Sequence, residues 1–206
     1  MSLFFESIKI ENGQPANIFF HKERFNRTRR DVLGIDEKLS LEKVIEVPGN
    51  HKNKVYKCRL FYDYEVHKIE FVEYEKKNIN KLIAVYDNTV SYNYKYTDRS
   101  AIEKLKNENT KNPGEEILII KNGFITDTSY SNICFYDGQK WVTPQNPLLC
   151  GTQRAKLLTE KRIFEKEIRI SELSFYKEIK LINAMIDFDD TNTLPISTIE
   201  LQSNFM

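Results

Sequence analysis

Asp127 lies among hydroxyl side chains in residues 125–133, whose sequence is ITDTSYSNI. The segment follows Asn122-Gly123, a dipeptide that is typical of tight hairpin turns. A carboxylate in such a place can hold a cation or a proton and is therefore a candidate functional group. The alternative is a Ser/Thr-rich loop in which Asp127 forms a turn. The segment taken alone leaves both interpretations open.

Two further stretches contain groups that could do chemistry. The amine of Lys95 could bond to a carbonyl group or act as a base, although most lysines are solvated surface charges. Gly151 and Thr152 introduce a predicted helix that runs from Gln153 to Lys161. The N–H groups at a helix N-terminus favour phosphate.

The segment around Asp127 resembles that of the class IV aminotransferase family, whose members are fold type IV pyridoxal-phosphate (PLP) enzymes. In that family a glycine turn is followed by Ser or Thr and then by an acidic residue, and Gly123, Thr126 and Asp127 match. The resemblance implies PLP as cofactor and Asp127 as the partner of its pyridine nitrogen. A carboxylate there keeps the nitrogen protonated, so that the ring can accept electrons. The similarity runs over residues 5–185.

Lys95 is implied by the same resemblance to hold the cofactor, because the family's lysine lies at a similar distance upstream of the acidic residue. It would bond to the cofactor aldehyde, be displaced by the substrate amine, and then remove the adjacent proton as a base. In the lyase branch of the family, Asn and Arg follow the lysine at the third and fourth positions. Here Asp98 replaces that Asn, and Arg99 matches. Asn132 resembles the asparagine that closes the acidic motif.

The phosphate of the cofactor is implied to lie at the glycine-led loop. Gly151, Thr152 and Gln153 match its positions, although Gln153 stands where many relatives have Thr. Arg24 resembles the arginine of the family's first helix that reaches the phosphate, with an exposed helical arginine as the alternative. Asn183 resembles a residue of the last active-site strand that borders the cofactor, but it could instead satisfy a buried backbone group.

Ser7 favours a lyase among the reactions of the family. It resembles the position where 4-amino-4-deoxychorismate lyases carry a hydroxyl that assists proton transfer, whereas many transaminases have Gly there. The expected reaction converts 4-amino-4-deoxychorismate to 4-aminobenzoate and pyruvate in the folate pathway. One alternative is an outward-facing Ser7 in an aminotransferase for D-amino or branched-chain amino acids. Another is a cofactor-binding regulatory module without turnover.

Composition points to a small-molecule partner rather than a polymer, and the resemblance implies that this partner is an amino substrate. The 206 residues carry 31 basic and 30 acidic side chains, so no net field attracts nucleic acid. Three cysteines and no closely spaced pair favour a reducing, cytoplasmic location. No apolar run approaches the length that a membrane span needs. His51 and His67 do not have metal-ligand spacing to any cysteine or carboxylate. We expect no metal, membrane or nucleic-acid partner, and the resemblance implies a homodimer.

The elements that must position these residues predict an α+β chain. We expect strands at residues 3–10 and 16–20, a helix at 21–33 ended by Gly34, and further β-hairpins in both halves. The resemblance implies the two-lobed fold of a D-amino-acid aminotransferase-like PLP enzyme. We place a small N-terminal lobe at residues 1–87 and a larger, cofactor-binding C-terminal lobe at residues 88–206.

Overall fold

A computed structural model describes residues 3–49, 51 and 53–201. The strands form three separate sheets with helices beside them, which confirms the predicted α+β class. The chain divides into two compact units. The first unit comprises Met1–Glu75 and Tyr94–Asp98, and the second comprises Lys76–Asn93 and Arg99–Met206.

The first unit is built on an antiparallel sheet of order β2-β1-β3-β4. Its main helix, α1, ends at Gly34 in the left-handed conformation, φ 70°, as predicted from the glycine. The helix begins three residues earlier than predicted, after Asn17, so the strand predicted at residues 16–20 is wrong. The elements of this unit are β1 Phe4–Glu11, β2 Gln14–Pro15, α1 Ile18–Leu33, α2 Leu41–Val44, β3 Tyr56–Tyr62 and β4 Val66–Glu73.

Strand β1 presents two different faces because side chains alternate along a strand. Phe4, Ile8 and Ile10 pack into the apolar core together with Phe25 of α1. The intervening positions, which include Ser7, lie on the opposite face. The sequence alternation therefore separates a packing face from a face that is available for other contacts.

A buried polar cluster interrupts the packing face. The carboxylate of Glu6 accepts hydrogen bonds from Arg24 Nε at 2.9 Å and Arg24 Nη2 at 2.5 Å, and it lies 2.7 Å from His21 Nδ1. Burial alone would raise the pKa of Glu6, but the Arg24 charge and the hydrogen bonds from His21 and Arg24 lower it to about 2. Burial lowers the pKa of His21, although the hydrogen bond to Glu6 opposes this shift, and so favours the neutral imidazole.

The second unit contains two sheets. One has the order β13-β5-β6-β7 and the other has the order β10-β9-β8-β11-β12. Their facing side chains form a continuous apolar core, with Leu118 and Phe135 fully buried. The strands are β5 Lys81–Tyr86, β6 Glu115–Lys121, β7 Phe124–Thr128, β8 Asn132–Tyr136, β9 Trp141–Pro144, β10 Phe164–Lys166, β11 Glu178–Ile182, β12 Leu194–Pro195 and β13 Ile199–Leu201.

Helices of the second unit are short. They are α3 Ser100–Asn109, α4 Thr152–Thr159, and two 3-10 helices over Ile170–Phe175 and Ile196–Thr198.

The division of the chain differs from the predicted lobe boundary after residue 87. Strand β5 pairs in parallel with β6, and β13 pairs in parallel with β5, which places residues 81–86 in the second unit. Residues 94–98, in contrast, return to the first unit. Both differences come from long-range pairing, which a change in local composition does not reveal.

None of the described helices is long and apolar enough to cross a membrane.

Replacing Glu6 by Gln tests the buried polar cluster. Because the change leaves the Arg24 charge buried without its partner, we expect the free energy of unfolding at pH 7 to fall by about 3–5 kcal/mol. The contribution of Glu6 should be fully present above its unfolded pKa of 4.5 and lost as the pH falls toward about 2. Urea unfolding between pH 7 and pH 3 measures both effects.

The control is Glu73→Gln, which removes an exposed pair with Lys54 and should leave stability almost unchanged. Equal effects of the two substitutions, or a Glu6→Gln effect that does not shrink at low pH, would contradict this account.

Candidate active site

Lys95 is fixed to the first unit by its main chain. Phe5 N–H donates a hydrogen bond to the Lys95 carbonyl at 3.0 Å, and Thr97 N–H donates to the Leu3 carbonyl at 2.9 Å. The segment Tyr94–Asp98 therefore lies alongside the start of β1 although it is distant in sequence. This pairing determines where the lysine side chain begins.

The amine of Lys95 lies over an aromatic ring on β1. Its Nζ is 4.4 Å from the centroid of the Phe5 ring. Ser7 is two residues further along the same strand and thus on the same face as Phe5. Ser7 is half-buried and pairs with Arg59 of β3. The structure thus places Ser7 on the sheet face where Phe5 meets the Lys95 amine.

Arg24, the predicted phosphate ligand, is buried in α1 and held by Glu6. The alternative of an exposed helical arginine is wrong. Sequence analysis did not identify Glu6 as the partner of Arg24. The signal that could have identified it is an acidic residue at an inward position of an otherwise apolar strand. The role of Arg24 toward a phosphate stays a prediction.

Asp127 lies in β7 with its carboxylate held by two neutral donors. Asn132 Nδ2 donates to Oδ1 at 2.7 Å, and the Leu149 N–H donates to Oδ2 at 2.9 Å. Burial raises the pKa of Asp127 to about 6, although these hydrogen bonds and the Arg154 charge oppose the rise. A cationic group brought to this carboxylate would favour its ionised form.

The local sequence explains why Asp127 and Asn132 meet. Asn122 and Gly123 adopt positive φ angles of 51° and 81°, so β6 and β7 form the predicted hairpin. After β7 the chain turns back at Thr128, whose N–H and hydroxyl both donate to the Ser131 carbonyl at 3.0 Å. Strand β8 then begins at Asn132.

Gly151 is required by space rather than by backbone conformation. Its φ is an ordinary −68°, but a Cβ atom there would lie 2.0 Å from Asn132 Oδ1. The Asn132 amide also donates to the Leu149 carbonyl at 2.8 Å and so connects Asp127 to the glycine loop. Thr152 is the first residue of α4, where backbone N–H groups lack helical acceptors.

The other predicted residues of this unit lie in two places. Gln153 is buried in the first turn of α4. Asn183 follows β11, and its Nδ2 donates to Ser131 Oγ at 2.9 Å, while its Oδ1 accepts the Met185 N–H at 2.9 Å. Asn183 therefore does satisfy a backbone group, and contact with a ligand stays a prediction. Ser131 is a further polar group that sequence reasoning did not single out.

The polar groups of the second unit fit PLP by their chemistry, and so, taken by itself, does the lysine of the first unit. The carboxylate of Asp127 accepts hydrogen bonds from neutral donors at both oxygens, so its ionised form would gain from a protonated pyridine nitrogen. The start of α4 follows directly on the loop that contacts Asp127, and helix N-termini suit a phosphate. Lys95 supplies an amine of the kind that bonds to an aldehyde.

Comparison with known proteins decides the family. The model for amino-transferase class IV matches residues 3–188 of this chain. The chain belongs to the class IV aminotransferase family. Members of this family are PLP-dependent enzymes, which confirms the predicted family and enzyme class.

Relatives of this class IV enzyme cover most of its length. An uncharacterised protein of Haemophilus influenzae is 39% identical over 183 residues, which are 88% of this chain and 96% of the relative. The crystal structure of a candidate 4-amino-4-deoxychorismate lyase from Haemophilus somnus 129PT is 33% identical, with a TM-score of 0.81, and covers 90% of this chain and 97% of that one.

A PLP-bound structure of a hypothetical aminotransferase from Mycobacterium tuberculosis has a TM-score of 0.75 and 12% identity. It covers 94% of this chain and 80% of that one, and at this identity it shows the fold alone.

Substituting Gly151 by Ala tests how the class IV enzyme builds this loop. The added Cβ would displace the Asn132 side chain and break its hydrogen bonds to Asp127 and Leu149. We expect the free energy of unfolding to fall by about 2 kcal/mol or more, as measured by urea unfolding.

The matched control is Gly49→Ala, because a Cβ at Gly49 meets no atom within 4 Å. If Gly151→Ala were as stable as this control, the close approach of Asn132 to Gly151 would be wrong.

Proposed function

We propose that the enzyme is a PLP-dependent lyase that converts 4-amino-4-deoxychorismate to 4-aminobenzoate and pyruvate. The observation that carries this proposal is the 33% identity over 90% of the chain to the Haemophilus somnus protein named as a candidate for that activity. The position of Ser7 on the sheet face where the Lys95 amine meets Phe5 supports it.

In this proposal the residues of the second unit would hold the cofactor ring and its phosphate. PLP, when bound, supplies an electron sink for negative charge that develops on the carbon beside the substrate amine. Asp127 would keep the ring nitrogen protonated, and Asn132 would orient that carboxylate. The backbone N–H groups of Thr152 and Gln153 would bind the phosphate, and the family resemblance implies Arg24 as a further phosphate ligand.

Residues of the first unit move the protons. Lys95 would hold the cofactor through its aldehyde and, once the substrate amine has taken its place, would remove the proton from the carbon that bears this amine. The bond from the ring to the enolpyruvyl oxygen then breaks, and the ring becomes aromatic. Ser7 delivers a proton to the methylene carbon of the departing enolpyruvyl group, which leaves as pyruvate. The proton that is removed from the ring carbon equals the one that is added to the methylene carbon, so the two products together contain the atoms of the substrate and no oxidant or water is consumed.

Product analysis of the loaded enzyme tests the proposal. Incubation with 4-amino-4-deoxychorismate should release 4-aminobenzoate and pyruvate in equal amounts, while the cofactor stays in its aldehyde form. Incubation with D-alanine or L-leucine should leave that form unchanged. Conversion to the pyridoxamine form by either amino acid, without 4-aminobenzoate formation, would contradict the lyase and identify an aminotransferase.

The wider setting follows from the same proposal. A lyase of this reaction serves folate biosynthesis. We propose a homodimer, as the family resemblance implies, and a cytoplasmic location, as the cysteine content favours. Light scattering of the purified protein would measure the mass of the assembly, which the proposal expects to be twice that of one 24.4 kDa chain.

Ser7→Ala tests the proton delivery. Loss of the hydroxyl should lower lyase turnover by about a hundredfold, because a positioned proton donor contributes on that scale. Cofactor binding should not change. Ser7→Thr keeps a hydroxyl and should retain most of the activity. Unchanged turnover of Ser7→Ala would refute the role of this residue.

Asp127→Asn tests the pairing with the ring nitrogen through the pH dependence of PLP affinity. The Asp127 carboxyl has a pKa of about 6, so it is ionised above that pH and protonated below it. We therefore expect the wild type to lose affinity as the pH falls through about 6. The Asn variant should lack this component and bind more weakly at pH 8. Fluorescence titration from pH 5 to pH 8 measures the difference, and parallel curves would contradict the pairing.

A further inference from the structure

Arg59 lies on the same sheet face as Ser7 and beside the ring that Lys95 contacts. Its register partner on β1 is Ser7, and its register partner on β4 is Glu70. Residues opposite one another in antiparallel strands share a face. Phe5 and Phe61 form the neighbouring pair on that face.

The two aromatic rings hold the Arg59 guanidinium in place. Its Cζ atom is 4.7 Å from the centroid of Phe61 and 5.4 Å from that of Phe5. Such cation–π contacts restrain the plane of an arginine side chain. The Lys95 amine and the Arg59 guanidinium are therefore both neighbours of the Phe5 ring. The distance between these two cations cannot exceed the sum of their distances to the ring centroid.

The charges around Arg59 leave it able to bind an anion. Glu70 contacts Arg59 Nη1 at 3.1 Å, and its other oxygen contacts Lys68 Nζ at 2.6 Å. Two cations thus share one carboxylate, and the cluster carries a net positive charge. The contact with Glu70 uses Nη1 and leaves the N–H groups of Nη2 and Nε, which form the edge that binds a carboxylate in bidentate fashion.

We propose that Arg59 binds a carboxylate of the substrate and thereby selects ring-carboxylate amines. The inference rests on the proposed function, whose product carries its amine and its carboxylate at opposite ends of one six-membered ring. With the amine at the position of Lys95 Nζ, the carboxylate of such a ring would point away from the lysine, and Arg59 is the cation on this face that would receive it. The ligand ring would lie against Phe5, whose ring contacts both cations.

Binding of two matched ligands tests this proposal without turnover. Calorimetry compares 4-aminobenzoate with 4-aminobenzamide, which keeps the shape and loses the charge. We expect the wild type to prefer the carboxylate at least tenfold. Arg59→Met should abolish that preference and bind the amide as the wild type does. Arg59→Lys should restore it only in part, because an ammonium group lacks the bidentate edge.

Lys68→Met is the control for general charge. Lys68 belongs to the same cluster but is more exposed to solvent than Arg59. Because solvent and salt screen an exposed charge, the loss of Lys68 should change the preference for the carboxylate by less than about threefold. Thermal unfolding of Arg59→Met should match the wild type, because its pair with Glu70 is solvent-exposed in part.

The outcomes separate this inference from the proposed function. A wild type that does not prefer the carboxylate, or an Arg59→Met variant that keeps the preference, overturns the role of Arg59. If the preference depends on Arg59 but the wild type forms no 4-aminobenzoate from 4-amino-4-deoxychorismate, the inference stands and the lyase proposal fails. In a lyase, Arg59→Met should raise KM for that substrate at least tenfold and change kcat much less.

Discussion

A carboxylate removed from water must find hydrogen-bond donors, and one such carboxylate in each unit organises the polar groups around it. Glu6 is buried between β1 and α1, and Asp127 is buried where β7 meets the glycine loop. Each requires particular partners at particular places. Gly151 has no side chain because the amide that serves Asp127 occupies that space.

The same burial produces opposite pKa shifts at these two residues. Glu6 has a counter-ion in Arg24, and its pKa falls to about 2. Asp127 has neutral donors at both oxygens, and its pKa rises to about 6. The charge of Glu6 is thus satisfied within the protein, whereas that of Asp127 would be satisfied best by a cation from outside. This contrast is the physical basis for proposing the ring nitrogen of PLP at Asp127 and not at Glu6.

Local turn chemistry made much of the fold predictable from the sequence. Asn122-Gly123 and Gly34 determine a hairpin and a helix end through backbone conformations that few other residues adopt, and both were predicted correctly. The resemblance to the family also drew attention to Asp127 and Asn132, which the structure brings into contact.

Long-range contacts could not be predicted in the same way. The pairing of residues 94–98 with β1 and of β13 with β5 joins segments that are remote in sequence, and neither carries a local signal. Glu6 showed only its inward position in an apolar strand, and Arg59 is an ordinary charged strand residue until the fold supplies its neighbours. Their positions became meaningful only with the register of the sheet.

The central claim is that Lys95 holds the cofactor, and covalent trapping tests it most directly. The protein is loaded with PLP, reduced with borohydride, digested and mapped by mass spectrometry, with Lys95→Ala and the exposed-helix control Lys104→Ala treated alike. The account predicts one modified peptide, labelled at Lys95, that is lost in Lys95→Ala and retained in Lys104→Ala. Absence of any aldehyde-form absorbance, or specific labelling at another lysine, would contradict it.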